Sequence, residues 1–140
     1  MSRIKLETSK SVDEKSDSMT IEKIIHNEQR RVFSIAEARA LLPLIYHITE
    51  SAHKKVKALL NRLEAAKGKD VLLTQKIEEL ISEEMSKWQN KLFRLGVTPK
   101  GMWLADFDNG TCYYCWKFPE NDIRYFHGYQ DGFSGRIEIQ

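Results

Sequence analysis

The sequence predicts an α+β domain: a long antiparallel helical hairpin packed on a small antiparallel sheet of three to four strands. Three observations carry that prediction. Apolar residues recur at steps of three and four over residues 35–66 and again over 77–95. After Met102 the period changes to two. Gly68, Gly96 and Pro99 fall where the helical period breaks.

The first helix is expected over residues 34–66. Ser34-Ile35-Ala36-Glu37 is a capping-box pattern: the Ser34 hydroxyl accepts from the Glu37 amide, and the Glu37 carboxylate accepts from the Ser34 amide. That assigns Glu37 to structure rather than to acid catalysis. Ile35, Ala38, Leu42, Ile45, Ala52, Val56, Leu59, Leu63 and Ala66 then form one seam, interrupted only at Thr49. Pro43 lacks the amide that would bond to the Arg39 carbonyl, so a kink is expected there. Gly68 ends the helix in a turn.

The second helix, about residues 72–95, carries Ile77, Ile81, Met85, Trp88, Leu92 and Leu95 on one stripe, with Glu83 and Lys87 as a surface pair. At ~1.5 Å per residue the first helix spans ~50 Å, longer than the rest of such a domain is wide. The hairpin should therefore protrude, and two helices alone do not cover both stripes. A homodimer through the hairpin is the expected arrangement.

For the sheet, Trp103 to Phe107 reads as a strand, Asp108-Asn109-Gly110 as a hairpin turn and Thr111 to Phe118 as the returning strand. Pro119 to Asp122 makes a second turn and Ile123 to His127 a third strand, giving a meander over about 102–127 and a loop or strand over 128–140. Arg31-Val32-Phe33 offers an edge strand. The helical hairpin is the available cover for the apolar face, which includes Trp116. Residues 31–140 thus read as a single domain. Residues 1–30 balance six basic against six acidic side chains and read as a mostly disordered tail, with a short helix over 20–30 and Met19 as a second candidate start.

The net charge of +2, with scattered basic residues, argues against nucleic acid, which needs clustered cations to displace counterions. Lys54, Lys55, Lys57 and Arg62 are flanked by Glu50 and Glu64 and read as a solvated or intersubunit face. No apolar run approaches the ~20 residues of a membrane span. The start lacks a signal-peptide core, so a cytoplasmic location is expected. His47 and His53 are six apart on the first helix and share no face; both are expected in solvent.

Cys112 and Cys115 are spaced C-x-x-C within TCYYCWKF, which has strand composition. Residues three apart on a strand point to opposite faces, which argues against a disulfide or a shared metal. The candidate site lies elsewhere, where His127, Asp131, Asp106 and Cys115 gather near one end of the sheet. Imidazole, carboxylate and thiolate together suit Zn²⁺ or another transition metal. A competing structural reading pairs Asp106 with Arg136, packs Cys115 as a small hydrophobe and makes His127 a loop anchor. Gly132-Phe133-Ser134-Gly135 lacks the setting of a phosphate loop, so Gly132 and Gly135 read as turn glycines. Cys115 with His127 as base would make a cysteine-dependent enzyme.

Arg31-x-Phe33-Ser34-x-x-Glu37-Ala38 with Leu41-Leu42-Pro43-Leu44 resembles the opening of the bacterial domain-of-unknown-function family 2203. Ala105-Asp106-Phe107, Cys115-Trp116-Lys117, Ile123 to His127 and Gly132-Phe133-x-Gly135-Arg136 resemble its second half, in order. The chain departs from the family pattern in its tight Asp108-Asn109-Gly110 turn, in Phe126 before His127, and in Pro119 to Asp122 after Cys-Trp. The resemblance implies a helical-hairpin-plus-sheet domain and no particular activity. The leading function class is a non-enzymatic dimeric binding or scaffold protein, without cofactor, acting on an unidentified protein partner. A metal- or small-ligand-binding domain comes second and a cysteine-dependent enzyme third.

Overall fold

The capping box at Ser34 forms as its sequence requires. In a computed structural model, which describes residues 31–140, the Ser34 amide donates to Glu37 Oε1 at 2.8 Å and the Glu37 amide to Ser34 Oγ at 3.1 Å. Helix α1 (Ile35–Ala66) starts there and runs through Pro43 to a cap at Lys67. Gly68 then adopts φ +76°, a left-handed turn that glycine makes without a Cβ clash. Asp70 caps helix α2 (Val71–Arg94), its carboxylate accepting from the Leu73 amide at 3.0 Å. Hydrophobic periodicity alone does not reveal that cap. The tail expected over residues 1–30, with its short helix, lies outside the described residues.

Ala38, Leu42, Ile45, Ala52 and Val56 of the expected seam are buried. So is Thr49, the interruption: its hydroxyl accepts from Trp88 Nε1 at 2.8 Å. The break in the apolar seam thus answers the one polar atom of a buried indole. Lys87 pairs with Glu84 at 3.4 Å, not with Glu83, because i,i+3 neighbours on a helix are as close as i,i+4.

Five strands follow, β1 (Thr98–Lys100), β2 (Leu104–Asp108), β3 (Tyr113–Lys117), β4 (Tyr125–His127) and β5 (Ile137–Glu138), antiparallel and in that spatial order. The sheet has one strand more than the largest number expected. Strands of 3 and 2 residues, β1 and β5, are too short to display a period. The edge is β1, where Pro99 is tolerated, and Arg31-Val32-Phe33 forms no strand. Phe33 instead donates a backbone bond to the Asp108 carbonyl at 2.7 Å and sets its ring edge-on to Phe107, centroids 5.3 Å apart.

One face of the sheet meets the helices. Ala105, Phe107 and Trp116 share a core with Leu42, Ile45, Trp88 and Leu92, and Ile123 joins them. Ile123 precedes β4, so it lies on the core side and does not share the face of Tyr125 and His127 that a longer strand would give it. Trp116 Nε1 donates to the Glu120 carbonyl at 2.7 Å. Arg39 of α1 holds the same turn, 3.0 Å from both Asp122 Oδ1 and the Ile123 carbonyl. Trp103, at φ +66°, closes the β1–β2 loop and sets its ring 5.1 Å from Trp88. His53 packs against Trp103 and Phe118, at 5.7 and 5.0 Å, rather than in solvent as expected, because the loop brings aromatics over its helix face. His47 is exposed. Among the described residues, no helix is long and apolar enough to cross a membrane.

Candidate metal centre

Period two sends alternate residues of β2 and β3 away from the helices. Asp106 is paired in register with Cys115, Cys115 with Tyr125, and Tyr113 with His127. Asp106, Cys115 and His127 thus meet on three neighbouring strands. They are 2%, 1% and 4% exposed, as deep as the helix-facing core. One donor atom from each lies within 4.8 Å of the others. Cys112 falls in the loop after β2, where its Sγ accepts from Asn109 Nδ2 at 3.3 Å, and both cysteines are free. The C-x-x-C pair is thus split between a loop and a strand, rather than across the two faces of one strand.

The C-terminal segment makes the cover. The Asp131 amide donates to the Gly128 carbonyl at 3.0 Å, and the Gly128 amide to Asp131 Oδ2 at 3.1 Å, closing a tight turn directly after His127. A Cβ on Gly128 would lie 2.6 Å from Asp131 Oδ2, and one on Gly135 2.9 Å from Asp131 Cβ. At either position an added Cβ would displace the Asp131 side chain, whereas one at Gly132 meets nothing within 4 Å. Tyr129 pins the turn to the sheet through a 2.6 Å hydrogen bond from its hydroxyl to Asp108 Oδ1 and an edge contact with Tyr113 at 4.9 Å.

Arg136 is not the partner of Asp106. Its guanidinium donates to both Glu120 oxygens, at 3.2 and 2.7 Å, and lies over the rings of Tyr125 and Phe133, at 3.8 and 4.5 Å. Glu120 wins because the β3–β4 turn carries it to the same edge, and a planar guanidinium pairs bidentately while stacking on an aromatic ring. Asp106 is answered by His127, whose Nε2 lies 3.2 Å from each of its carboxylate oxygens.

The tautomer of the neutral His127 ring follows from its other nitrogen. Nδ1 is 2.8 Å from the Gly128 carbonyl, which can only accept, so Nδ1 carries a proton and donates it there. In the neutral ring Nε2 then offers its lone pair to the site. This is the arrangement of a metal-binding histidine, oriented from behind by a backbone carbonyl. Burial raises the pKa of Asp106, against the opposing pull of His127. Burial, followed by the nearby Asp106 charge, pushes the Cys115 thiol up to about 12. Without a cation, the pocket holds its acids toward the protonated forms.

Beside the three donors lies a pocket of about 90 Å³, walled by Lys100, Leu104, Tyr129, Asp131, Gly132 and Phe133. Asp131 itself is exposed and reaches the pocket wall; it is not among the three residues whose donors converge. Sequence reasoning brought together Asp106, Cys115 and His127 and missed Lys100, Gly128, Tyr129 and Glu120. The glycine directly after His127 was the one local signal. The other three depend on where loops land.

Donors separated by 3.2 to 4.8 Å bracket the edge of a zinc tetrahedron, ~3.3–3.6 Å from ordinary Zn–N, Zn–O and Zn–S lengths. No curated protein and no solved structure matches the chain. Residues 31–139 match the family described as an uncharacterized conserved protein, DUF2203, and the chain belongs to that family.

Proposed function

We propose that this domain binds one divalent transition metal, zinc being the best fit, through Asp106, Cys115 and His127. The observation that carries the reading is a buried triad of oxygen, sulfur and nitrogen donors within 4.8 Å, with His127 Nδ1 held by the Gly128 carbonyl. Mixed N/O/S donors suit zinc and its neighbours; calcium and magnesium take oxygen ligands. Two deprotonated acids and a neutral imidazole would balance the charge of a divalent ion. Arg136 pairs with Glu120 and also reaches Cys115, where its charge favours the thiolate. Binding must displace the protons that burial holds on Cys115 and Asp106, so affinity rises with pH. The raised Cys115 pKa weighs against a free nucleophile, which needs the opposite shift.

The test is elemental analysis of protein purified without a histidine tag and reconstituted with Zn²⁺. About one zinc per chain is expected, lost in His127→Ala and in Cys115→Ala while circular dichroism keeps the native spectrum. Native fold without bound metal in the wild type would sink the proposal.

A second reading, dimerisation through the hairpin, is favoured by the turn end of the hairpin. Leu60, Val71, Leu72 and Leu73 are exposed there, Leu72 to 78%. Lys54, Lys55, Lys57 and Arg62 lie on α1, and Glu78, Glu79, Glu83 and Glu84 on α2. An antiparallel second copy would set basic helix against acidic helix while covering the apolar end. Light scattering should give twice the chain mass, falling to one chain in Val71→Glu/Leu72→Glu. A monomer at high concentration in the wild type removes this reading and leaves the metal site untouched.

A further inference from the structure

We infer that the metal site takes a small carboxylate as its external ligand, with Lys100 as the counter-charge. This rests on the metal reading above and goes on to say what the open side of the ion is for. Three protein donors leave a fourth position on a tetrahedral ion, the mark of sites that bind or activate a ligand rather than merely hold a fold together.

That position faces the pocket, whose volume of about 90 Å³ holds a few waters or a molecule of a few heavy atoms. The walls narrow the chemistry. The Tyr129 hydroxyl is committed to Asp108 at 2.6 Å, and Asp131 Oδ2 accepts from the Gly128 amide at 3.1 Å. Leu104 and Phe133 are apolar.

Lys100 is the one cation on the wall. Among the described residues its ammonium makes no ion pair; it lies 5.6 Å from the centre of the Tyr113 ring and within the field of Asp106. Once the metal neutralises Asp106 and Cys115, that ammonium, on the wall of the same pocket, loses its partial counter-charge. A carboxylate answers both needs at once, one oxygen to the metal and the other to Lys100, with a short apolar remainder against Leu104 and Phe133. A cation would be repelled, and a neutral ligand would leave the ammonium unanswered. The Asp131 carboxylate on the same wall sets a limit on size and charge: a dianion would be disfavoured, a monoanion accepted.

The experiment uses the full chain loaded with Co²⁺, whose visible absorption reports coordination directly, and titrates acetate. Acetate should change the cobalt bands saturably in the wild type. In Lys100→Gln the cobalt bands should form as in the wild type, and acetate should bind ~10-fold or more weakly. Lys100→Arg should restore part of the loss. Cobalt bands that do not respond to a large excess of acetate would overturn the inference while leaving the metal site standing. An equal acetate response in wild type and Lys100→Gln would overturn the role of Lys100. Absence of cobalt bands would overturn the metal reading and this inference with it.

Discussion

On the helix-facing side of the sheet, Ala105, Phe107 and Trp116 are buried beneath two helices; on the other side, Asp106, Cys115 and His127 are buried as deeply beneath a loop. The two layers cost the protein very different amounts. Removing apolar area from water stabilises by roughly 25 cal/mol per Å², so the first layer needs no further reason to exist. Burying a carboxyl, a thiol and an imidazole costs free energy unless each finds a partner. Depth alone therefore does not mark a core. What separates a core from a site is whether the burial stabilises by itself.

The sharpest way to break that contrast is to truncate one residue on the apolar side. Phe107→Ala should cost ~3–5 kcal/mol by urea denaturation and leave the zinc content of the folded fraction unchanged. If zinc binding collapsed while the protein stayed folded, the two faces would not be separable.

The polar face should show itself through pH. In metal-free protein the folded Cys115 thiol is pushed up to about 12 from an ordinary 9.0, so the folded chain keeps a proton that the unfolded chain releases between those values. Its contribution is fully present below pH 9 and declines as pH rises toward 12. At ~1.4 kcal/mol per unit the decline is at most about 4 kcal/mol. Thermal melts across that range should fall more steeply in wild type than in Cys115→Ala, and zinc should remove the difference. Parallel curves would mean the thiol is not buried as described.

A finer cut falls on the loop rather than on the donors. Gly128→Ala should force Asp131 and the Gly128 carbonyl out of place, weakening zinc ~10–100-fold through His127 orientation. Competition with a chelating dye measures it, and wild-type affinity would show that the carbonyl is not positioning the ring. Smallest is Ser34→Ala, at the N-terminus of α1. It should cost ~1 kcal/mol of stability and change no metal parameter.

How much of this could be read from the chain differs between the faces in the same way. Helix α1 was legible because its signals are local: the capping box spans four residues and the seam repeats at a fixed step. Asp106 was legible as a carboxylate in need of a partner, metal or cationic. Its partner was not, since Arg136 and His127 are both plausible until the β3–β4 turn delivers Glu120 to the guanidinium. Ile123 was read as part of the third strand, but β4 begins two residues later than its composition implies. Thr49 looked like a flaw in the seam, and only the position of Trp88 on the other helix gives it a purpose. Contacts between distant loops leave no period to count.

The three donors stand on three adjacent strands, with Asp106 and His127 21 positions apart along the chain. A metal joined to them would run across the hydrogen-bond ladder, in the direction along which a sheet is unzipped. Pulled from its C-terminus, the protein would first shed β5, which holds by two residue pairs. The next strand would then be riveted in place. With the ion gone, β4 would follow almost at once; with it present, the force should climb to a second, higher rupture. The same ion that proposes a chemistry for this domain would also decide how strong it is under load.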